Sequence, residues 1–395
     1  MAEIRSIDAL DSAGKRVLVR VDFNAPVADG AVTDDTRIRA ALPTIRKLVG
    51  DGAKVVLMSH RGRPDGTGFQ EEFSLRPTAE RLGELLGAQV AMASDICGPD
   101  ARAKADALEV GEVLMVENLR FDPREKENDE AFCRELAALG DAYVNDAFGT
   151  AHRAHASTAG LAGLLDAYAG YLLQNEVETL TGMLESPRHP FCAILGGSKV
   201  SDKIAVIDAL LDRCDTLIIG GGMCFTFLLA QGHGVGASLK EDEWVDRAAA
   251  MIDKARRKGV ELLLPVDVVC ADRFAEDAAV QTVSIDSIPE AMMGLDIGPR
   301  TAQLYADAIA QAQTVFWNGP MGVFEMDAFA EGTRAVARAV AANAGADTII
   351  GGGDSVAAVN KFGLADAMTF ISTGGGASME LVEGKVLPGV AALQR

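Results

Sequence analysis

Phe191-Cys192-Ala193-Ile194-Leu195-Gly196-Gly197-Ser198-Lys199 is the stretch on which the fold reading turns. Five apolar residues in a row do not alternate with polar ones. Such a run is a strand covered on both faces, the form that parallel sheets take. Two glycines follow at once, as at a tight strand-to-helix turn. The same grammar recurs downstream, where Leu217-Ile218-Ile219 runs into Gly220-Gly221-Gly222 and Val315-Phe316-Trp317 into Asn318-Gly319-Pro320. Thr348-Ile349-Ile350 runs into Gly351-Gly352-Gly353-Asp354-Ser355, and Phe370-Ile371-Ser372-Thr373 into Gly374-Gly375-Gly376. Upstream, strands are expected at residues 16–21, 54–59, 113–116 and 142–145, and later also at 261–264. Intervening stretches such as 36–49 and 327–342 carry apolar residues at helical spacing. The alternation predicts an α/β chain with two doubly wound, Rossmann-like parallel sheets.

Length and composition agree. At about 150 residues per domain, 395 residues make two domains. Glycine, 41 of 395, stands above the usual ~7%, and its surplus lies in the runs just quoted. The formal net charge of −20 argues against general binding to nucleic acid or anionic membrane. No leader segment and no membrane span is expected, and six dispersed cysteines without CxxC spacing predict buried thiols in a reducing, cytoplasmic setting. Between the two halves, Leu173, Val177, Leu180 and Leu184 recur at helical spacing until Pro187 and Pro190 intervene. The expected organisation is a first domain over residues 1–170, a hinge helix over 171–186 and a second domain over 187–380.

Ligands of open α/β sheets bind beyond the carboxyl ends of the strands. In the first half those ends are polar and basic: Asp22-Phe23-Asn24, His60-Arg61-Gly62-Arg63, Asn118-Leu119-Arg120 and His152-Arg153, with Arg37 opening a helix. One such arginine is ordinarily a solvated surface charge. Several around one mouth repel each other unless an anion sits among them, and guanidinium forks match carboxylate and phosphate. In the second half the ends are glycine, which lets backbone N–H groups approach phosphate closely. Lys199 and Lys203 stand four apart, on one face of a helix expected to open after Gly196-Gly197. A P-loop, a protein-kinase signature, a dinucleotide fingerprint and a nucleophile elbow are all absent.

The quoted motifs, together with Arg20-Val21-Asp22-Phe23-Asn24-Ala25-Pro26, Trp317-Asn318-Gly319-Pro320-Met321-Gly322 and Gly384-Lys385-Val386-Leu387-Pro388-Gly389, resemble phosphoglycerate kinase in the same order from end to end. The resemblance implies 3-phosphoglycerate or 1,3-bisphosphoglycerate held by Asp22, Phe23, Asn24, Arg37, His60, Arg61, Gly62, Arg63, Arg120 and Arg153. It implies ADP or ATP, with Mg²⁺ on Asp354, held by Gly197, Lys203, Gly220, Gly221, Gly294, Asn318, Glu325, Gly352, Gly353, Asp354 and Ser355. Arg37, Lys199 and Lys203 would act on the transferring group, and Gly374 and Gly375 would stabilise its charge. It further implies a monomer whose tail, about residues 381–395, returns to the first domain. Arg61 departs from the apolar residue common at its position. The rival readings are another ATP-dependent carboxylate kinase and a non-catalytic two-lobe binding protein.

Overall fold

A computed structural model describes residues 4–394. The chain divides into two compact units, one made of residues 1–179 and 386–395, the other of 180–385. The last ten residues therefore group with the first unit.

The first unit is built on six parallel strands in the spatial order Val90–Met92, Val113–Met115, Lys54–Met58, Arg16–Val21, Ala142–Asp146, Ala167–Ala169. Val17, Val19 and Val21 lie buried on one face with Ile38, Leu42, Ile45 and Leu48 of the helix Thr36–Gly50. The strand order reverses at Arg16–Val21, whose neighbours lead off in opposite directions along the sheet. That reversal opens a crevice at the carboxyl end of the strand, where Asp22, Ser59 and Ala147 begin their loops.

The second unit repeats the plan with Glu261–Leu263, Thr216–Ile219, Phe191–Leu195, Thr314–Asn318, Asp347–Gly351 and Phe370–Ile371, again all parallel. Its order reverses at Phe191–Leu195, so Gly196 and Asn318 flank the crevice. A three-stranded antiparallel sheet of Asp267–Ala271, Val280–Ser284 and Met293–Ile297 was not expected. Its outer strand Val280–Ser284 is mostly polar and exposed, so the apolar pattern does not mark it.

The helix Tyr171–Glu185 ends one residue short of the expected 171–186, and the division between units falls within it. Its buried apolar residues are Leu173, Val177, Leu180 and Met183, so Met183 takes the place expected for Leu184. Asp146, at the end of its strand, caps this helix: Oδ1 accepts from Leu172 N at 2.9 Å and Leu173 N at 3.3 Å.

Candidate functional site

In the first unit the charged strand ends converge. His60 is buried, and Arg20, Arg120, Arg37 and Arg153 all lie near enough to act on its charge. Burial first, then these guanidiniums, hold the imidazole well below its ordinary pKa, so it is neutral at pH 7. Arg37, in the first turn of its helix, pairs with Asp22. Arg120 donates to Gly62 O at 2.6 Å, and burial together with Arg153 and Arg20 lowers it to about 10. Arg153 is exposed and donates to His152 Nε2 at 3.1 Å. Asn24 Oδ1 accepts from Gly62 N at 2.9 Å, tying two loops together, and Arg63 stands exposed on the second of them. Such clustered positive charge in a crevice is a site for a small, dense anion.

Two expected ligands serve other ends. Phe23 is fully buried in the core, and its N–H donates to Ser59 Oγ at 2.9 Å. Arg61 is turned inward: Nε donates to Ser74 O at 3.0 Å and Nη2 to Glu72 O, beside the buried carboxylate of Glu117. Glu117 in turn accepts from Ser74 Oγ at 2.6 Å and Asn118 N at 2.8 Å. Arg61 thus braces the 72–75 segment, with Nε and Nη2 both committed to its carbonyls. Gly62, at φ +62°, faces the Phe73 ring, which a Cβ would strike at 2.4 Å.

In the second unit a cavity of about 530 Å³ is floored by apolar side chains, among them Phe225, Leu239, Phe274, Met293 and Ile297. Glu325 and Asp354 line it as well, with Gly197, Gly221 and Gly294. A flat apolar slot beside carboxylates and glycine backbone suits a nucleotide's base and ribose. Beside it Lys203, largely desolvated and lowered by that burial, contacts Asn318 Oδ1. Asn318 Nδ2 is buried without a hydrogen-bond partner. A Cβ on Gly352 would meet that nitrogen at 2.7 Å. Gly197 and Gly353 have open space where a Cβ would be, as does Gly375, at φ +47° in the loop that also holds Gly374.

Several expectations change here. Lys199 and Lys203 do not share a helix face, because the helix begins only at Ile204. Residues 199–203 form a turn, pinned where Ser201 N and Oγ donate to Glu241 at 2.9 and 2.7 Å. Not every glycine faces a ligand. A Cβ on Gly196 would stand 2.0 Å from Pro320 O, and one on Gly220 2.4 Å from Met321 Sδ. These glycines let neighbouring loops close on each other. Ser355 is buried, and its Oγ accepts from Gly319 N at 2.6 Å.

Sequence reading gave no role to Arg20, Glu125, Ser157, Asp146 or Asp296. Asp296 is buried at the cavity wall, accepts from Gly332 N at 2.7 Å and is raised to about 7 by desolvation. The signal for Arg20 was present, as a cation within the otherwise apolar residues 17–21 of the strand Arg16–Val21. Glu125 and Ser157 lie in short helical turns, and Asp146 and Asp296 at or near strand ends, where an acid or serine is unremarkable.

For Mg²⁺ the chemistry of the donors is the test. Among the described residues no group of three or more His, Cys, Asp or Glu could hold a metal. A single carboxylate completed by substrate phosphates is the usual arrangement for this ion, and Asp354 fits it.

Two parallel-sheet units of this kind, one with an anion crevice and one with a base-sized slot beside glycine loops, define a nucleotide-dependent kinase. The family model described as phosphoglycerate kinase matches residues 7–385. The chain belongs to the phosphoglycerate kinase family and has that enzyme's activity. The phosphoglycerate kinase of Synechococcus sp. (strain JA-2-3B'a(2-13)) is 60% identical over 395 residues, covering 97% of this chain and 96% of its own. That of Moorella thermoacetica is 60% identical over 384 residues, covering 97% of each. The solved structure from Coxiella burnetii superposes with a TM-score of 0.91 at 46% identity, covering 99% of both chains.

Proposed function

We propose that the first unit holds 3-phosphoglycerate and the second Mg·ATP or Mg·ADP, and that the γ-phosphoryl group passes directly between them. The observation that carries this reading is the set of four guanidiniums around neutral His60. In the forward sense the glycerate carboxylate attacks the γ-phosphorus, an acyl-phosphate bond forms, and the bond to the β-phosphate oxygen breaks, leaving ADP. Both nucleophiles, the carboxylate and in reverse the ADP oxygen, are ionised at pH 7, so no general base is needed. His60 is then a ligand of the acid.

Arg37, Arg63, Arg120 and Arg153 would bind the acid's phosphate and carboxylate, with Asp22 and Asn24 at its hydroxyl end. Lys203, the unpartnered Asn318 amide, the open backbone at Gly197 and Gly353 and the Gly352 backbone packed on Asn318 would bind phosphates, and Glu325 the ribose. Arg37 and Lys199 would stabilise charge on the equatorial oxygens, with the Gly374-Gly375 backbone assisting. Mg²⁺ on Asp354 supplies neutralisation of nucleotide phosphate charge when bound. Substrates held on separate units must meet, so the reading includes closure about the helix Tyr171–Glu185, which also excludes water. The six buried, unpaired thiols favour a reducing, cytoplasmic setting, and the reading takes the enzyme as a monomer. A coupled assay of ATP-dependent 3-phosphoglycerate phosphorylation tests it. Activity is expected with Mg²⁺ and lost with EDTA; turnover of other carboxylic acids but not of 3-phosphoglycerate would refute it.

A further inference from the structure

Behind the anion crevice lies a buried polar chain that the reaction does not use directly. Glu125 is almost fully buried; its Oε2 accepts from Ser157 N at 3.0 Å and its Oε1 from Ser157 Oγ at 2.5 Å. Ser157 Oγ accepts from Arg20 Nε at 2.8 Å. Arg20 Nη1 donates to Val21 O, and Nη2 lies 3.0 Å from His60 Nδ1. The direction of every link follows from one fact: a guanidinium has donors only. Ser157 Oγ must accept from Arg20, so its own hydrogen goes to Glu125. His60 Nδ1 must accept too, so a neutral ring carries its proton on Nε2.

We propose that the Glu125–Ser157–Arg20 relay is a positioning device that locks His60 as the Nε2–H tautomer, so that the imidazole meets the acid substrate as a hydrogen-bond donor. A neutral imidazole free to exchange tautomers would spend part of its time turning a lone pair toward a carboxylate or phosphate oxygen. Three features hold the relay still. Ser157 sits in a short π-turn, Ala156–Gly160, a geometry that recurs at functional sites. Tyr143 O–H donates to Ser157 O at 2.6 Å. The Arg20 guanidinium is held from three directions, by Ser157, Val21 and His60. The charged groups facing His60 are Arg20, Arg37, Arg120 and Arg153, with Asp22 Oδ1 4.0 Å from Nδ1. The four cations oppose protonation of the ring, so a single neutral tautomer is what remains. Glu125 and Ser157 are positioning residues, since they act on substrate only through Arg20 and His60.

The inference rests on the reading that this crevice takes 3-phosphoglycerate, and its first test does not depend on that reading. Long-range ¹H–¹⁵N spectra of the ¹⁵N-labelled, substrate-free full chain at pH 7 report which ring nitrogen of each histidine is protonated. His60 is assigned by its loss in His60→Gln. The expected wild-type result is protonation at Nε2 alone. Ser157→Ala should give His60 a mixture of tautomers and Ser157→Thr should restore one. Steady-state assays should show KM for 3-phosphoglycerate rising about tenfold in Ser157→Ala, with KM for Mg·ATP unchanged. A wild-type proton on Nδ1, an unchanged tautomer in folded Ser157→Ala, or equal rises in both KM values would overturn the proposal. If instead Arg63→Ala left KM for 3-phosphoglycerate unchanged, the crevice reading would fail while the wild-type spectrum still judged the relay.

Discussion

Replacing Asp146 by asparagine should remove a pH-dependent penalty from the start of the helix that links the two units. The carboxyl group is 1% exposed, and Oδ2 has no hydrogen-bond partner. Desolvation raises its pKa from 3.8 to about 7, against the lowering effect of Thr44 and of the Leu173 and Leu172 amides. A raised carboxyl pKa means that the folded state holds the proton when the unfolded state has released it. Stability is then lost as pH rises from the unfolded value toward about 7, and the loss is complete above it. The gap converts to about 4 kcal/mol at most, of which about 2–3 kcal/mol falls between pH 5 and pH 8.5. Asparagine can accept the same two amide hydrogen bonds without ionising. In a unit of this size the melting temperature of Asp146→Asn minus that of wild type should therefore rise by about 5–10 °C between pH 5 and pH 8.5. Scanning calorimetry at a series of pH values measures the difference directly. Taking the difference cancels other titrating groups, the similarly raised Asp296 among them. A difference that stays flat across this range would refute the argument.

Three further substitutions separate binding, chemistry and scaffold. Arg37→Ala should lower kcat by about 100-fold or more while leaving nucleotide binding nearly intact; wild-type turnover would remove Arg37 from the transferring group. Arg61→Met should lower stability by about 2–4 kcal/mol, because two carbonyls lose their donor and buried Glu117 its nearby cation, yet change KM for 3-phosphoglycerate less than threefold. Denaturant unfolding paired with steady-state kinetics checks both halves, and a large KM rise at unchanged stability would return Arg61 to the ligand set. Asn318→Ala should weaken nucleotide binding about tenfold by titration calorimetry; unchanged affinity would show that its unpartnered amide does not face phosphate.

The fold was legible because its strands are buried on both faces. Phe191–Leu195 and Thr216–Ile219 carry continuous apolar runs closed by glycine, and both appear with the expected bounds. Where burial is one-sided the pattern fades, as at Val280–Ser284. The anion crevice was legible through residue type, since arginine and histidine at successive strand ends have little structural reason to recur. Their individual duties were not. Arg61 and Arg63 are two residues apart in one motif, and only the backbone path turns the first toward Ser74 and leaves the second exposed. The glycine runs overstated the phosphate site for a similar reason. Gly196 and Gly220 are small because Pro320 and Met321 press against them, a contact 100 or more residues away in sequence. Lys203 and Asn318 were both named through the resemblance, but only the packing shows that the Asn318 amide is buried and unpartnered.

Small-angle X-ray scattering of the full chain tests the central claim most directly, since each unit is assigned one substrate and transfer requires them to meet. The radius of gyration should be nearly unchanged by 3-phosphoglycerate alone or by Mg·ADP alone, and should fall when both are saturating. A radius of gyration indifferent to the two together would contradict transfer by closure.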